Sequence, residues 1–342
     1  MKKNRAAVEL APMLFDLGEI ELPPQPILEL IAKVVWSHSR GGKLEQCPLY
    51  YYFRYYGSKK ALADTEPRQA LLGRLKQLQN RHQRAGKILH QVIATYFRKA
   101  QTGDVWSTER LLDWARVLFR ADVEYSRSDP QGNNPPEVRY PPTLLQEFYY
   151  QMVDAEELCA QAEERMLSAL RNFATHPAYE HLRWAGSQAD ALVEHHFTLK
   201  EFPCRVLGQI DLLYREVPTI NIVDWKIGAA VTDGDDSLQL AAYALWACEH
   251  YGCGPETIAI SKANLGSGDL TPYRATKEVL ADARARILQD AERMAAVDSY
   301  GQRGISEAFT PCAQANICRL CPFVGACDEG RRSLYEGSKQ YN

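Results

Sequence analysis

Val206-Leu207-Gly208-Gln209-Ile210-Asp211 and, thirteen residues beyond its carboxylate, Ile222-Val223-Asp224-Trp225-Lys226 decide how this chain is read. Both are apolar, β-prone runs that end in charge. The stretches around them, 191–199, 204–214 and 219–226, have the short alternating or β-branched pattern of strands. Side chains two apart on a strand share a face, so Asp224 and Lys226 point one way and Trp225 the other. If the two strands pair, Asp211 reaches the same spot. Carboxylates brought together repel unless a cation offsets them. Magnesium takes a few carboxylates plus water, and acidifies that water into a usable nucleophile. A neighbouring lysine orients the water or stabilises charge growing on a phosphate. Asp-x-Lys alone is common and usually marks a surface ion pair. Here the apolar Ile222-Val223 buries the strand that carries it.

Working outward, the pattern after the strands predicts a helix over 237–249, a further strand over 256–262 with a hairpin return at Gly266-Ser267-Gly268, and a last helix over 275–297. Upstream, 104–185 reads as all-helical, with helices over 108–125 and 144–173 and a loop at 126–142 marked by Asp129-Pro130 and Pro135-Pro136. Residues 71–99 read as one long helix carrying His90, with Gly86 one turn before it. The aromatic run from Tyr50 to Tyr56 is too dense for a solvated surface and is expected to pack on a metal site or face a ligand. A proline-rich turn, Pro23-Pro24-Gln25-Pro26, precedes an apolar stretch over 27–35.

The chain has 342 residues, 46% hydrophobic and 24% charged, which fits a soluble globular protein with a large core. No apolar run approaches a membrane span, and Glu9 and Asp16 interrupt the segment after the basic start, so the expected location is cytoplasmic. The net charge of −3 alone speaks against nucleic acid, but it is unevenly spread. Residues 1–100 hold 17 Lys/Arg and 8 Asp/Glu, and 67–103 hold eight basic residues and no acidic one. A one-sided field suits a polyanion. Arg81, Arg84 and Lys87 are the candidate DNA contacts in that stretch. Nine cysteines at uneven spacing make a poor disulfide framework. Cys318, Cys321 and Cys327 form C-x2-C-x5-C, and Cys47 stands far upstream, whereas Cys159, Cys204, Cys248, Cys253 and Cys312 read as buried or free thiols.

Together these motifs resemble the RecB-like branch of the PD-(D/E)XK nucleases that carry an iron–sulfur cluster, such as the nuclease domains of RecB and AddB and a small CRISPR-associated exonuclease. Gly86-Lys87-Ile88-Leu89-His90 is similar to their G-x-x-x-H helix, and Gln239-Leu240-Ala241-Ala242-Tyr243 to the Q-x-x-x-Y helix after the catalytic lysine. Glu194 takes the place of an acid often found on the preceding strand. The resemblance covers 36–99 and 190–330. It implies an α/β restriction-endonuclease-like core, a mixed central sheet flanked by helices, with a helical insertion and a cluster joining the two ends. The segments it implies are an N-terminal extension (1–35), a cluster-ligand and His-helix segment (36–102), the insertion (103–188), the catalytic core (189–300) and the cysteine segment (301–342).

The resemblance further implies catalytic roles for Asp211, Asp224, Lys226, Gln239 and Tyr243, and Mg2+ or Mn2+ held by His90, Asp211, Asp224 and Trp225. Cys47, Cys318, Cys321 and Cys327 match the ligands of a 4Fe–4S cluster; four thiolates also suit zinc. The expected substrate is DNA, as single strands or ends, with a helicase, a CRISPR adaptation protein or a defence-complex protein as partner. Two other readings stay open: a catalytically inactive iron–sulfur DNA-binding subunit, and a zinc-stapled RNA or protein interaction domain. No G-x-x-x-x-G-K-[ST] phosphate loop of a helicase motor appears.

Overall fold

The computed structural model describes residues 25–59, 67–134, 136–138, 141–228 and 236–339. The basic start at 1–5 and the first two prolines of the proline-rich turn lie outside them. Six strands, β1 (Val35–Trp36), β2 (Leu192–Leu199), β3 (Arg205–Glu216), β4 (Thr219–Lys226), β5 (Ile258–Asn264) and β6 (Asp269–Tyr273), form one mixed sheet. β3 is its hub. One edge of β3 pairs antiparallel with β2, from Leu192↔Leu213 to Leu199↔Val206. The other edge pairs parallel with β1 at Val35↔Arg205 and Trp36↔Val206, and antiparallel with β4 from Leu212↔Val223 to Glu216↔Thr219. Between those two pairings, residues 207–211 of β3 have no strand partner on that edge among the described residues. β4 continues parallel to β5, and β5 returns antiparallel as β6.

Helices cover both faces. In chain order they are α1 (Gln25–Ile31), α2 (His38–Gln46), α3 (Pro48–Tyr52), α4 (Pro67–Leu75), α5 (Arg81–Ala100), α6 (Thr108–Ser128), α7 (Gln146–Tyr149), α8 (Ala155–Thr175), α9 (Glu180–Gly186), α10 (Ser237–Tyr251), α11 (Lys277–Gln302), α12 (Ala315–Cys318) and α13 (Asp328–Lys339). This is the mixed sheet flanked by helices that the sequence led one to expect. No helix among the described residues is long and apolar enough to cross a membrane.

Two expected helices are broken. The stretch 71–99 splits into α4 and α5 because Asn80 starts a new helix: its side chain accepts from Gln83 N–H while the Gln83 side chain accepts from Asn80 N–H. The stretch 144–173 yields only the single turn α7 before α8 begins at Ala155. The strand expected from 256 begins at Ile258, after a 3-10 turn at Pro255–Thr257.

One apolar core packs α5, α6 and α8 against Leu212, Tyr214, Val223 and Trp225 of the sheet. The other joins α10 and α11 to Ile210, Leu213, Ile220 and Ile222, and draws in the N-terminal aromatic run. That run packs on the C-terminal segment. Tyr50 and Phe53 meet Phe323 with ring centroids 5.2 and 5.6 Å apart, and Tyr52 meets Phe309 at 5.0 Å. Such aromatic contacts add to area burial and tie the two ends of the chain together.

Candidate active site

The β3–β4 ladder stops at Leu212↔Val223, and the next main-chain donor on β4 is taken by a side chain: Trp225 N–H donates to Asp211 Oδ2 at 2.8 Å. The strands part there, and Asp211 and Asp224 converge at the opening. Asp224 is 2% exposed. Lys226 Nζ stands 3.1 Å from Asp224 Oδ2, outside hydrogen-bond geometry, so among the described residues this buried oxygen has no hydrogen-bond partner. From the other face α5 delivers His90. Its Nδ1 lies 3.2 Å from Asp211 Oδ1 and 3.3 Å from Glu194 Oε1. Among the described residues, His90, Glu194 and Asp211 are the group whose donor atoms all fall within 4.8 Å of one another.

Glu194 reaches this position through an irregular backbone. Its φ is +50°, in the left-handed region, which costs a non-glycine residue roughly 1–2 kcal/mol. The β2–β3 pairs on either side, Val193↔Leu212 and His195↔Ile210, hold register around it. The alternation of side chains changes phase at this point. Val193 packs towards the α5 core, yet Phe197 and Leu199, also odd-numbered, pack in the α10 core. The same switch separates Ile210 from Leu212 on β3. The acids therefore sit where the sheet turns its faces over, between α5 and α10.

Burial pushes the Asp224 carboxyl up to about 6, with Asp211 adding to the rise and Lys226 opposing it. Burial alone would make His90 less basic, but Asp211 and Glu194 outweigh it and hold it well above its ordinary value. Lys226 is likewise raised: burial opposes the charge, and Asp224 with Asp236, 3.5 Å away, more than compensates. Tyr243 is held well above its ordinary value by burial and then by Asp224 and Asp211. The gathered His90, Glu194 and Asp211, with the unsatisfied Asp224 oxygen lining the same cleft, are a donor set that suits a hard divalent ion.

The chain matches the PD-(D/E)XK nuclease superfamily over residues 35–328. It belongs to that superfamily. No curated protein matches it. Nucleases of this superfamily work with divalent metal, and the donor set fits one. Of the other candidate residues, Gln239, Tyr243 and Lys87 line the same cleft, of about 1090 Å3, which runs from Ser37 and His38 past the acids to α5.

Gln239 and Tyr243 lie one turn apart on α10 and form a chain to the acid. Gln239 Nε2 donates to Tyr243 Oη at 2.6 Å, and Tyr243 Oη donates to Asp224 Oδ1 at 3.5 Å. Their immediate partner is thus Asp224. Gly208 is needed for packing: a Cβ there would lie 2.2 Å from Phe197 Cζ, the ring that covers it from β2. Trp225 takes part only through its main chain. Its side chain, 1% exposed, lies in the α5–α8 core, stacked on Phe97 and edge-on to Phe173.

The basic candidates divide. Lys87 lines the nuclease's cleft. Arg81 pairs with Glu147 at 2.9 Å, and Arg84 with the buried Asp122, bonds that fasten α5 to α7 and α6. These two side chains are held by structural ion pairs instead of facing the cleft. His38, His82, Arg98 and His196, which the sequence reading did not single out, do line it.

Cys47 caps α3, its Sγ accepting from Tyr50 N–H at 3.4 Å, and Cys327 Sγ accepts from Gly330 N–H at 3.3 Å at the start of α13. With Cys318 and Cys321 they line one apolar pocket, and Cys312 lines it too. Cys312, expected to be a plain thiol, stands six residues ahead of Cys318, the spacing that also separates Cys321 from Cys327, and that repeat is the signal for it in the sequence. The loop between them is latched from α5 and α7: Asn80 Nδ2 donates to Leu320 O, Gln146 Nε2 to Arg319 O and Tyr150 Oη to Pro322 O. Burial raises the thiols of Cys47, Cys318 and Cys321, which disfavours their thiolate forms.

Proposed function

We propose that the chain is a Mg2+- or Mn2+-dependent deoxyribonuclease acting on single strands or strand ends. The observation that carries this is the convergence of His90, Glu194, Asp211, Asp224 and Lys226 at the parting of β3 and β4, in an open cleft. His90, Glu194, Asp211 and Asp224 are the side chains assigned to hold the ion. When bound, the ion supplies a Lewis acid for the phosphate and a more acidic water. Lys226 stays protonated beside two carboxylates, so its part is to stabilise negative charge growing on the phosphate and not to take up a proton. Tyr243 keeps its hydroxyl proton and uses it to hold Asp224, with Gln239 fixing the hydroxyl in turn. Loading requires His90 to give up its proton, so metal affinity rises with pH.

For the cysteine pocket we propose a 4Fe–4S cluster on Cys47, Cys318, Cys321 and Cys327. A single zinc at about 2.3 Å from each sulfur draws four sulfurs into a tight tetrahedron. The four cysteines line one apolar pocket and match the C…C-x2-C-x5-C ligand order of RecB-like nucleases, and that match is what favours the cluster. The resemblance to RecB-like nucleases supports a cytoplasmic setting in DNA repair, CRISPR or phage defence, beside a helicase, an adaptation protein or a defence-complex protein. The test is digestion of end-labelled single- and double-stranded DNA by anaerobically purified protein. Cleavage that needs Mn2+ or Mg2+, stops with EDTA, and is lost in Lys226→Ala while DNA binding persists is expected. Equal cleavage by wild type and Lys226→Ala overturns the assignment.

A further inference from the structure

Glu194 is the one strand residue among those described whose φ lies in the left-handed region without being glycine. Nothing in its own sequence favours that conformation. Relaxation to an ordinary extended φ would restore the regular alternation of β2 and swing the carboxylate away from Asp211. Something must hold it. His90 Nδ1 approaches Oε1 at 3.3 Å, and a second donor closes on the other oxygen: Gln209 Nε2 donates to Glu194 Oε2. Gln209 stands on β3 two residues before Asp211 and opposite His196, inside the stretch of β3 with no partner towards β4. It borders the cleft together with both acids.

The chemistry of the amide suits this task. Lysine or arginine at 209 would neutralise the carboxylate that a cation needs, and glutamate would repel it. A carboxamide orients an anion by hydrogen bonding and leaves its charge intact. An ionised carboxylate accepts only, so the amide nitrogen is the end that faces it.

We infer that Gln209 is a positioning residue for the metal site: it locks the strained Glu194 carboxylate into line with Asp211 and His90. This rests on the metal-site reading above. The ligands of a metal ion bind weakly when their outer partners are removed, typically by 10–100-fold. Mn2+ binding measured by calorimetry on the full chain is therefore expected to weaken by about 10–100-fold in Gln209→Leu. The Mn2+ concentration for half-maximal cleavage should rise by the same factor, while the rate at saturating Mn2+ stays within about threefold of wild type. DNA affinity without metal should be unchanged. Gln209→Asn, polar but too short to reach Glu194, is expected to behave the same way and decides the matter if the leucine variant does not fold. Wild-type affinity for Mn2+ in a folded variant overturns the inference. So does unchanged Mn2+ affinity with slow turnover at saturation, which would place Gln209 on the substrate. If wild type and Asp211→Asn give the same Mn2+ isotherm, the metal-site reading itself falls, and this inference with it.

Discussion

Asp224→Asn is expected to destroy cleavage and yet stabilise the metal-free protein. Burial moves the Asp224 carboxyl from an ordinary 3.8 to about 6. At about 1.36 kcal/mol per tenfold change, ionising it costs the folded protein about 3 kcal/mol. A carboxyl raised by folding contributes stability that is fully present below the unfolded value and is lost as pH climbs through the folded one. The window here runs from pH 3.8 to about 6. An asparagine carries no charge and escapes the loss. In EDTA, urea unfolding at pH 7.5 should show Asp224→Asn more stable than wild type by about 3 kcal/mol, falling to about 1.5 kcal/mol at pH 5. Saturating Mn2+ should raise wild type and close the gap, because the ion supplies the charge that Asp224 lacks. A variant no more stable than wild type at pH 7.5, or a gain that does not grow with pH, refutes the reasoning.

The other predictions separate structural from functional roles. Arg84→Ala leaves Asp122, whose side chain is 1% exposed, without its partner and should cost about 3 kcal/mol in chemical denaturation with the salt dependence of DNA binding unchanged. Lys87→Ala should leave stability alone and flatten the slope of log affinity against log salt by about 1. Gly208→Ala drives a methyl into the Phe197 ring, which packs on Tyr243 at 6.0 Å, so a loss of about 1–3 kcal/mol in the same denaturation assay and slower cleavage are expected. Anaerobically purified Cys47→Ser should lack visible absorbance and bound iron; colour and iron at wild-type levels would contradict the cluster.

Much of the core was readable because its signals are local. The strand over 219–226 coincides with β4, since Ile220, Ile222, Val223 and Trp225 alternate between two cores and Lys226 ends the run. Asp224 and Lys226 share a face as alternation required, and Asp211 joins them where β3 parts from β4, just beyond the end of their pairing. The break before α5 was also written in the sequence, as Asn80 with Gln83, but the apolar period running through it masked the cap. What sequence could not carry was long-range. Arg81 and Arg84 looked like free cations because Glu147 and Asp122, which hold them, lie 66 and 38 residues away. Nor does any residue pattern announce the left-handed Glu194, whose backbone is set by the groups that surround its carboxylate. Cys312 escaped notice because spacing singled out a trio, whereas the pocket is closed by chains from both ends.

The most direct measurement is a crystal grown with Mn2+ and mapped by anomalous scattering at the manganese edge. A peak bonded to Asp211 and His90, with Glu194 and Asp224 at its side, is expected, and its loss in Asp211→Asn. Manganese bound elsewhere, or His90 still paired with Glu194 and Asp211 at saturating metal, would contradict it.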